Sequence, residues 1–135
     1  MGVSNAWGKT IYLYTSDINW ASDNAVLFVW SWKDDNQGVA TKMTSATTNL
    51  YKADIADNHN KIIFMRMKNG STEISWGDNL WNRTQGDQAI NNETPCFKLT
   101  AWGQDGSKEC TGTWGKISYD AHIYLDNSVA NWSET

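Results

Sequence analysis

The chain has 135 residues, of which 11 are basic and 15 are acidic, so its formal net charge is −4. This length fits one domain with a hydrophobic core of its own. The basic residues are scattered singly, which argues against nucleic acid or an anionic membrane surface as the main partner, since both require clustered positive charge. No apolar run approaches the roughly 20 residues that cross a bilayer, so we expect no membrane insertion.

Short strand-like runs follow one another along the chain, separated by clusters of Asn, Asp and Gly. This spacing is typical of a β-sandwich or barrel, and no convincing amphipathic helix interrupts it. We therefore expect an all-β fold, an antiparallel β-sandwich. In chain order the predicted strands are Thr10–Tyr14, Ala25–Trp32, Ala40–Thr44, Leu50–Ile55, Lys61–Lys68, Gln88–Ile90, Cys96–Ala101, Thr113–Tyr119 and His122–Leu125.

A short internal sequence repeat bears on the domain organisation. Ile-Tyr-Leu followed by Asn-Trp occurs twice with the same internal spacing, once within Ile11–Trp20 and once within Ile123–Trp132. We predict one module over residues 8–120. Residues 121–135 are then either its C-terminal strand or the truncated start of a second copy. Tandem copies suit a binding module, because linked sites gain avidity without new contacts.

The two cysteines flank a turn-forming segment. Cys96 and Cys110 lie on either side of Gly103–Gly106, so antiparallel strands could join them in a disulfide, as in an extracellular protein. The alternative is two separate, half-buried thiols, and the sequence leaves both open. Neither cysteine belongs to a Cys-x-x-Cys or Cys/His cluster, so no zinc site is expected. Met1–Ser4 lacks the pattern of a signal peptide, so we expect that any signal peptide was removed or is not included in this sequence.

Tryptophan is the unusual component of the composition. Nine Trp accompany five Tyr and three Phe on a polar background. An exposed Trp is costly unless it binds something, so some of them are expected to form a binding surface. In the predicted strand Ala25–Trp32, alternation directs Leu27 and Val29 to the core. Trp30 and Trp32 share the other face, where they either stack on a ligand or pack beneath a loop.

Four motifs occur in order between residues 10 and 117. Trp20–Trp30 contains a Trp and a short turn that lead into an Asp-Asn-Ala strand, and Tyr51–Ile55 and Ile62–Asn69 follow. The last is Trp81–Asp87, which is close to a Trp-Asn-Gln-Thr-x-Asp pattern. This set resembles the starch-binding modules of carbohydrate-binding module family 26. The resemblance implies a β-sandwich that binds α-1,4-glucans and is appended to an amylase or a cell-surface starch protein.

The chain departs from that family at two positions. Arg83 stands where the family commonly has Gln, and Gly86 is inserted before Asp87. Both changes affect the polar contact with the sugar that the family's residues make at this position. The side chain of Gln85 could make that contact instead. Arg83 and Gln85 can donate planar hydrogen bonds to vicinal sugar hydroxyls. The alternative for Arg83 is a surface ion pair with Asp87.

The predicted carbohydrate-binding residues are of two kinds, aromatic platforms and hydrogen-bonding side chains. Trp20 is either a platform or a plug over the end of the sandwich, whereas Trp102 and Trp114 are expected to form a structural cross-strand pair. The predicted set is Trp30, Trp32, Trp81, Arg83, Gln85 and Trp20.

No catalytic pattern accompanies these residues. Glycoside hydrolysis needs two carboxylates at a fixed separation, whereas the acidic residues here lie almost entirely in turns. We expect a non-catalytic, monomeric module, secreted or at the cell surface, that holds starch or maltooligosaccharides without cofactor or metal. One alternative is an adhesion module that binds a protein through the same aromatics. Another is a β-glucan-binding module, since coplanar Trp rings favour β-1,4 chains and inclined rings favour α-1,4 chains.

Overall fold

The computed structural model describes residues 8–34 and 37–116. These residues form ten strands and one 3-10 turn, Ser22–Asn24. They contain no helix of the length and apolar character needed to cross a bilayer. The strands are β1 (Gly8–Tyr14), β2 (Val26–Trp32), β3 (Val39–Lys42), β4 (Thr44–Thr47), β5 (Leu50–Ala56), β6 (Lys61–Met67), β7 (Leu80–Arg83), β8 (Gln88–Ala89), β9 (Cys96–Ala101) and β10 (Thr111–Gly115).

The strands form two sheets. The first has the order β10-β9-β1-β5-β4, and the second has the order β3-β2-β6-β7, with β8 beside β6. Neighbouring strands are antiparallel except β1 and β9, which run parallel. Beyond β7 the backbone of 108–110 extends the second sheet, since Arg83 N donates to Lys108 O and Cys110 N donates to Arg83 O.

The main core lies between the two sheets, which confirms the predicted all-β sandwich. An aromatic group occupies its centre: the rings of Phe64 and Phe97 stack with centroids 5.4 Å apart, and Trp114 lies 5.2 Å from Phe97. The first sheet contributes Ile11, Leu13, Ala53, Ile55, Phe97 and Leu99, and the second contributes Leu27, Val29, Ile62 and Phe64.

The hairpin formed by β9 and β10 decides two sequence predictions. Trp114 pairs opposite Phe97, and Trp102 lies beyond the end of β9, so the predicted Trp102–Trp114 pair is wrong. Cys96 begins β9 and Cys110 precedes β10, so they stand at opposite ends of the hairpin, about 16 Å apart at 3.3 Å per residue. A disulfide cannot span that distance. Both are free, buried thiols, so the second alternative holds.

Two strands were missed because their sequences lack an apolar alternation. Thr44–Thr47 forms β4, and all four of its residues are exposed at the sheet edge. Leu80–Arg83 forms β7, although three of its residues were assigned to a binding motif rather than to a strand. Residues 121–135, predicted either as a C-terminal strand or as the start of a second copy, lie outside the described residues.

Candidate functional site

The structure distributes the six predicted binding residues over several places. Trp30 and Trp32 lie on the outer face of the second sheet, the face turned away from the first sheet. Trp81 lies beside a buried arginine at the end of the sandwich. Trp20 lies in the core. Arg83 lies along the edge of the sheet, and Gln85 lines a cleft.

The outer face of the second sheet is apolar, like its inner face. On β2, Phe28 and Trp30 alternate with the core residues Leu27 and Val29, as the sequence predicts. The outer residues pack against three side chains of β6 and one of β7, namely Ile63, Met65, Met67 and Leu80. An apolar face of this size must be covered. Residues 68–79, which connect β6 to β7, fold back over it, and Ile74 packs into the cluster.

Hydrogen bonds close this connection at its base. Lys68 N donates to Asn79 O at 2.8 Å, and Leu80 N donates to Gly77 O at 3.0 Å. Lys108 Nζ also donates to Gly77 O, at 3.2 Å, which ties the connection to the neighbouring segment. The loop therefore has a fixed base from which Trp76 projects, with 52% of its surface exposed.

Trp76 and Trp30 meet at a right angle. Their ring centroids are 5.7 Å apart, and the ring planes are inclined by 88°. The Trp30 ring also packs directly against the backbone of Gly38, where a Cβ atom would lie only 2.4 Å from the ring. Only glycine allows the backbone to approach the indole so closely. We call Trp30, Trp32 and Trp76 the outer aromatic patch.

A second aromatic group surrounds Arg66, which is 6% exposed. Its Cζ atom lies 5.1 Å from the ring centroid of Trp81 and 5.3 Å from that of Trp102. Its Nε donates to Trp20 O at 2.6 Å, and its Nη1 donates to Asn82 Oδ1 at 2.9 Å. We call Arg66, Trp81, Asn82 and Trp102 the arginine cluster.

The loop between β1 and β2 completes the surroundings of this guanidinium. Arg66 Nη2 donates to both the carbonyl oxygen and the hydroxyl of Ser22, each at 2.9 Å. Asp23 Oδ2 lies 3.7 Å from the same nitrogen. Burial lowers the pKa of Arg66, and the Asp23 carboxylate opposes that shift. Nearly every donor of the guanidinium is thus used by the protein itself, which makes Arg66 a support for its neighbours.

An irregularity in β7 brings Trp81 to this arginine. Arg66 pairs opposite Asn82, and the next residue, Met67, pairs opposite Leu80, so Trp81 is an extra residue in β7. Such a bulge re-aims a side chain relative to the regular alternation. Trp81 consequently lies against Arg66, which is on the core side of β6, and not with the outer aromatic patch.

Trp20 is a residue of the main core. Its side chain is fully buried in the main core, so it offers no surface to a ligand. Its Nε1 is buried without a hydrogen-bond partner. The indole lies near the Cys110 thiol, and burial raises the pKa of that thiol.

Arg83 and Gln85 have separate environments. Arg83 Nη1 donates to Thr84 O at 2.9 Å and lies 3.8 Å from Glu109 Oε1. The predicted alternative partner, Asp87, lies instead 3.3 Å from Lys61 Nζ. Gln85 is exposed at the mouth of a cleft of about 350 Å³, which Gln88 and Trp114 also line.

The chain matches no protein-family model, no curated protein and no solved structure. The resemblance to carbohydrate-binding module family 26 accordingly rests on the sequence motifs alone. Sequence reasoning missed Arg66 and left Trp76 unassigned. Arg66 carried a readable signal, since it is the one charged residue within the apolar run Ile62–Met67.

Proposed function

We propose that this chain is a non-catalytic carbohydrate-binding module that holds starch or maltooligosaccharides at the outer aromatic patch. The observation that supports this proposal best is the perpendicular pair of Trp30 and Trp76, whose second member is half exposed. In this proposal the module is monomeric, secreted or at the cell surface, and carried by an amylase or a cell-surface starch protein.

The angle between the rings favours an α-glucan over a β-glucan. A pyranose ring has an apolar face of C–H groups that lies flat on an indole. Successive rings of a β-1,4 chain form an extended ribbon, which needs coplanar platforms. An α-1,4 chain curves, so its successive rings can meet two indoles inclined by 88°. The fixed base of the Trp76 loop also limits the ordering cost of binding.

The polar part of the interaction differs from the sequence expectation. Arg83 pairs opposite Met65 and so lies on the outer face of the sheet, but its side chain is engaged with Thr84 O and Glu109, and Gln85 lines the cleft. Polar residues of the Trp76 loop, such as Ser75 and Asp78, are the nearer sources of hydrogen bonds along the chain. A shallow site of this kind should bind with roughly −5 to −7 kcal/mol, that is, with a Kd from hundreds of micromolar to about ten micromolar.

Affinity electrophoresis tests the proposal. The native protein should be retarded in gels containing amylopectin, and maltoheptaose should relieve the retardation. Trp76→Ala should lose most of it. Val39→Ala is the matched control, because Val39 is also exposed, at 51%, and belongs to the same sheet, but pairs opposite Ser31 and so faces away from Trp30.

Three results would contradict the proposal. Unchanged mobility of the native protein in amylopectin and glycogen gels would exclude starch binding and leave a protein-binding adhesion module as the better interpretation. Retardation only in gels containing a β-1,4-glucan would exclude the α-glucan preference. Equal retardation of Trp76→Ala and Val39→Ala would remove the outer aromatic patch as the site.

A further inference from the structure

We infer that the arginine cluster carries a second carbohydrate-binding surface, with Trp102 as its platform, so that one module holds two segments of glucan. The inference rests on the proposed function. It assigns a binding role to a residue for which the sequence indicates only a structural one.

Trp102 is exposed and firmly held. Its side chain is 41% exposed, and together with Val39 and Trp76 it makes up the large exposed apolar side chains of the described residues. The backbone at Gly103 is packed against the following loop, since a Cβ there would lie 1.9 Å from Ser107 O. Arg66 lies over the ring, and Arg66 is itself fixed by hydrogen bonds. An indole immobilised in this way loses little freedom when a ligand covers it.

The polar groups around Arg66, which lies over this indole, suit a neutral, polyhydroxylated ring. Asn82 accepts from Arg66 through Oδ1, which orients its amide NH₂ group as a donor. The Asp23 carboxylate is 80% exposed and is an acceptor. A carboxylate and an amide donor that contact the same guanidinium match the mixed donor and acceptor character of vicinal hydroxyls. The same carboxylate compensates the Arg66 charge, so the surface does not favour an anion.

The two surfaces are separate in space. Trp30 pairs opposite Ile63 on β6, and Arg66 lies three residues further along that strand. Three residues span about 10 Å, and an odd separation places the side chains on opposite faces of the sheet. A single sugar ring therefore cannot contact both platforms. Two segments of one polysaccharide, or two chains, are held instead.

Calorimetric titration with maltoheptaose distinguishes one surface from two. We expect a stoichiometry of two for the native protein and of one for both Trp76→Ala and Trp102→Ala. The double variant should not bind. Trp102→Tyr, which keeps an aromatic platform, should retain a stoichiometry of two. Circular dichroism and thermal unfolding check that each variant is folded.

A further variant keeps the inference testable if Trp102→Ala does not fold. Asp23→Gly removes the acceptor and suits the positive φ of 61° at this position. It should weaken one of the two binding events about tenfold and leave the other unchanged.

The outcomes separate the inference from the proposed function. A stoichiometry of one for the native protein, abolished by Trp76→Ala and unaffected by Trp102→Ala, would overturn the second surface and retain the first. A stoichiometry of one that Trp102→Ala abolishes would retain glucan binding but overturn the two-surface arrangement. Absence of any heat with maltoheptaose, together with unchanged mobility in amylopectin gels, would overturn both.

Discussion

Replacement of Arg66 by lysine should destabilise the fold far more than its conservative chemistry indicates. The guanidinium donates in several directions at once, to Trp20 O, to Asn82 Oδ1 and to both oxygens of Ser22. A lysine keeps the positive charge but has a single ammonium at its tip, without the planar fork that reaches these acceptors or lies against two indoles.

The expected loss follows from the acceptors left without a donor. A hydrogen bond to a charged group contributes about 1.5–3 kcal/mol, and an unsatisfied buried acceptor costs about 1–3 kcal/mol. If the ammonium serves one or two of the four acceptors, Arg66→Lys should lower the free energy of unfolding by about 3 kcal/mol. Since a domain is stabilised by only about 5–15 kcal/mol, this is a large fraction of the total.

Urea unfolding, followed by tryptophan fluorescence and far-ultraviolet circular dichroism, measures this loss. With a slope of roughly 2 kcal/mol/M, the midpoint should fall by about 1.5 M. Arg83→Lys is the matched control. Its side chain is 33% exposed and makes one hydrogen bond, to Thr84 O, besides an ion pair of 3.8 Å, so its loss should stay below about 1 kcal/mol. Equal midpoints for the two variants would refute the structural role that we assign to Arg66.

Two further predictions concern titratable groups that are fully or partly buried. Burial raises the pKa of the thiols of both Cys96 and Cys110, so Ellman's reagent should modify neither in the folded protein and both after unfolding in guanidinium; rapid reaction of the folded protein would contradict their placement. His59 Nδ1 lies 2.8 Å from Ser31 Oγ, and burial, assisted by the Lys9 charge, lowers the pKa of His59 below its ordinary 6.5. The unfolded chain then binds a proton more readily, so the stability measured by urea unfolding should fall as the pH drops through 6.5 and below, and His59→Gln should remove that part of the fall. An equal fall in His59→Gln would show that other groups cause it.

The strands that could be predicted are those whose side chains alternate or are continuously apolar. Cys96–Ala101 was predicted with its observed bounds, and Ala25–Trp32 with an error of one residue. The run Ile62–Met67 is buried on both sides of the sheet, and its lack of alternation indicates this. The element that covers its outer side was not predictable, because residues 68–79 are mostly polar and contact the sheet through Ile74 and Trp76.

The binding motif was read as one site because its residues are close in sequence. In the structure Trp81 lies against Arg66, Arg83 lies beside Glu109, and Gln85 lines the cleft. The position of Trp81 results from the bulge in β7. Asn82 pairs with Arg66 and Leu80 pairs with Met67, so Trp81 has no opposite residue on β6. A bulge is set by register between strands, and the local sequence of one strand does not contain that information.

The excess of tryptophan therefore has more than one explanation. Trp20 and Trp114 contribute to the core, which accounts for their presence without any ligand. Trp76 and Trp102 are exposed, yet each is held by contacts that orient its ring. If both bind glucan, the second contact on one polysaccharide becomes intramolecular, and its effective concentration raises the overall affinity without new contacts. Two weak surfaces on one rigid sandwich would then gain avidity in the same way as tandem modules. The loss of either Trp76 or Trp102 would therefore reduce retention on amylopectin by more than it reduces the affinity for maltotriose.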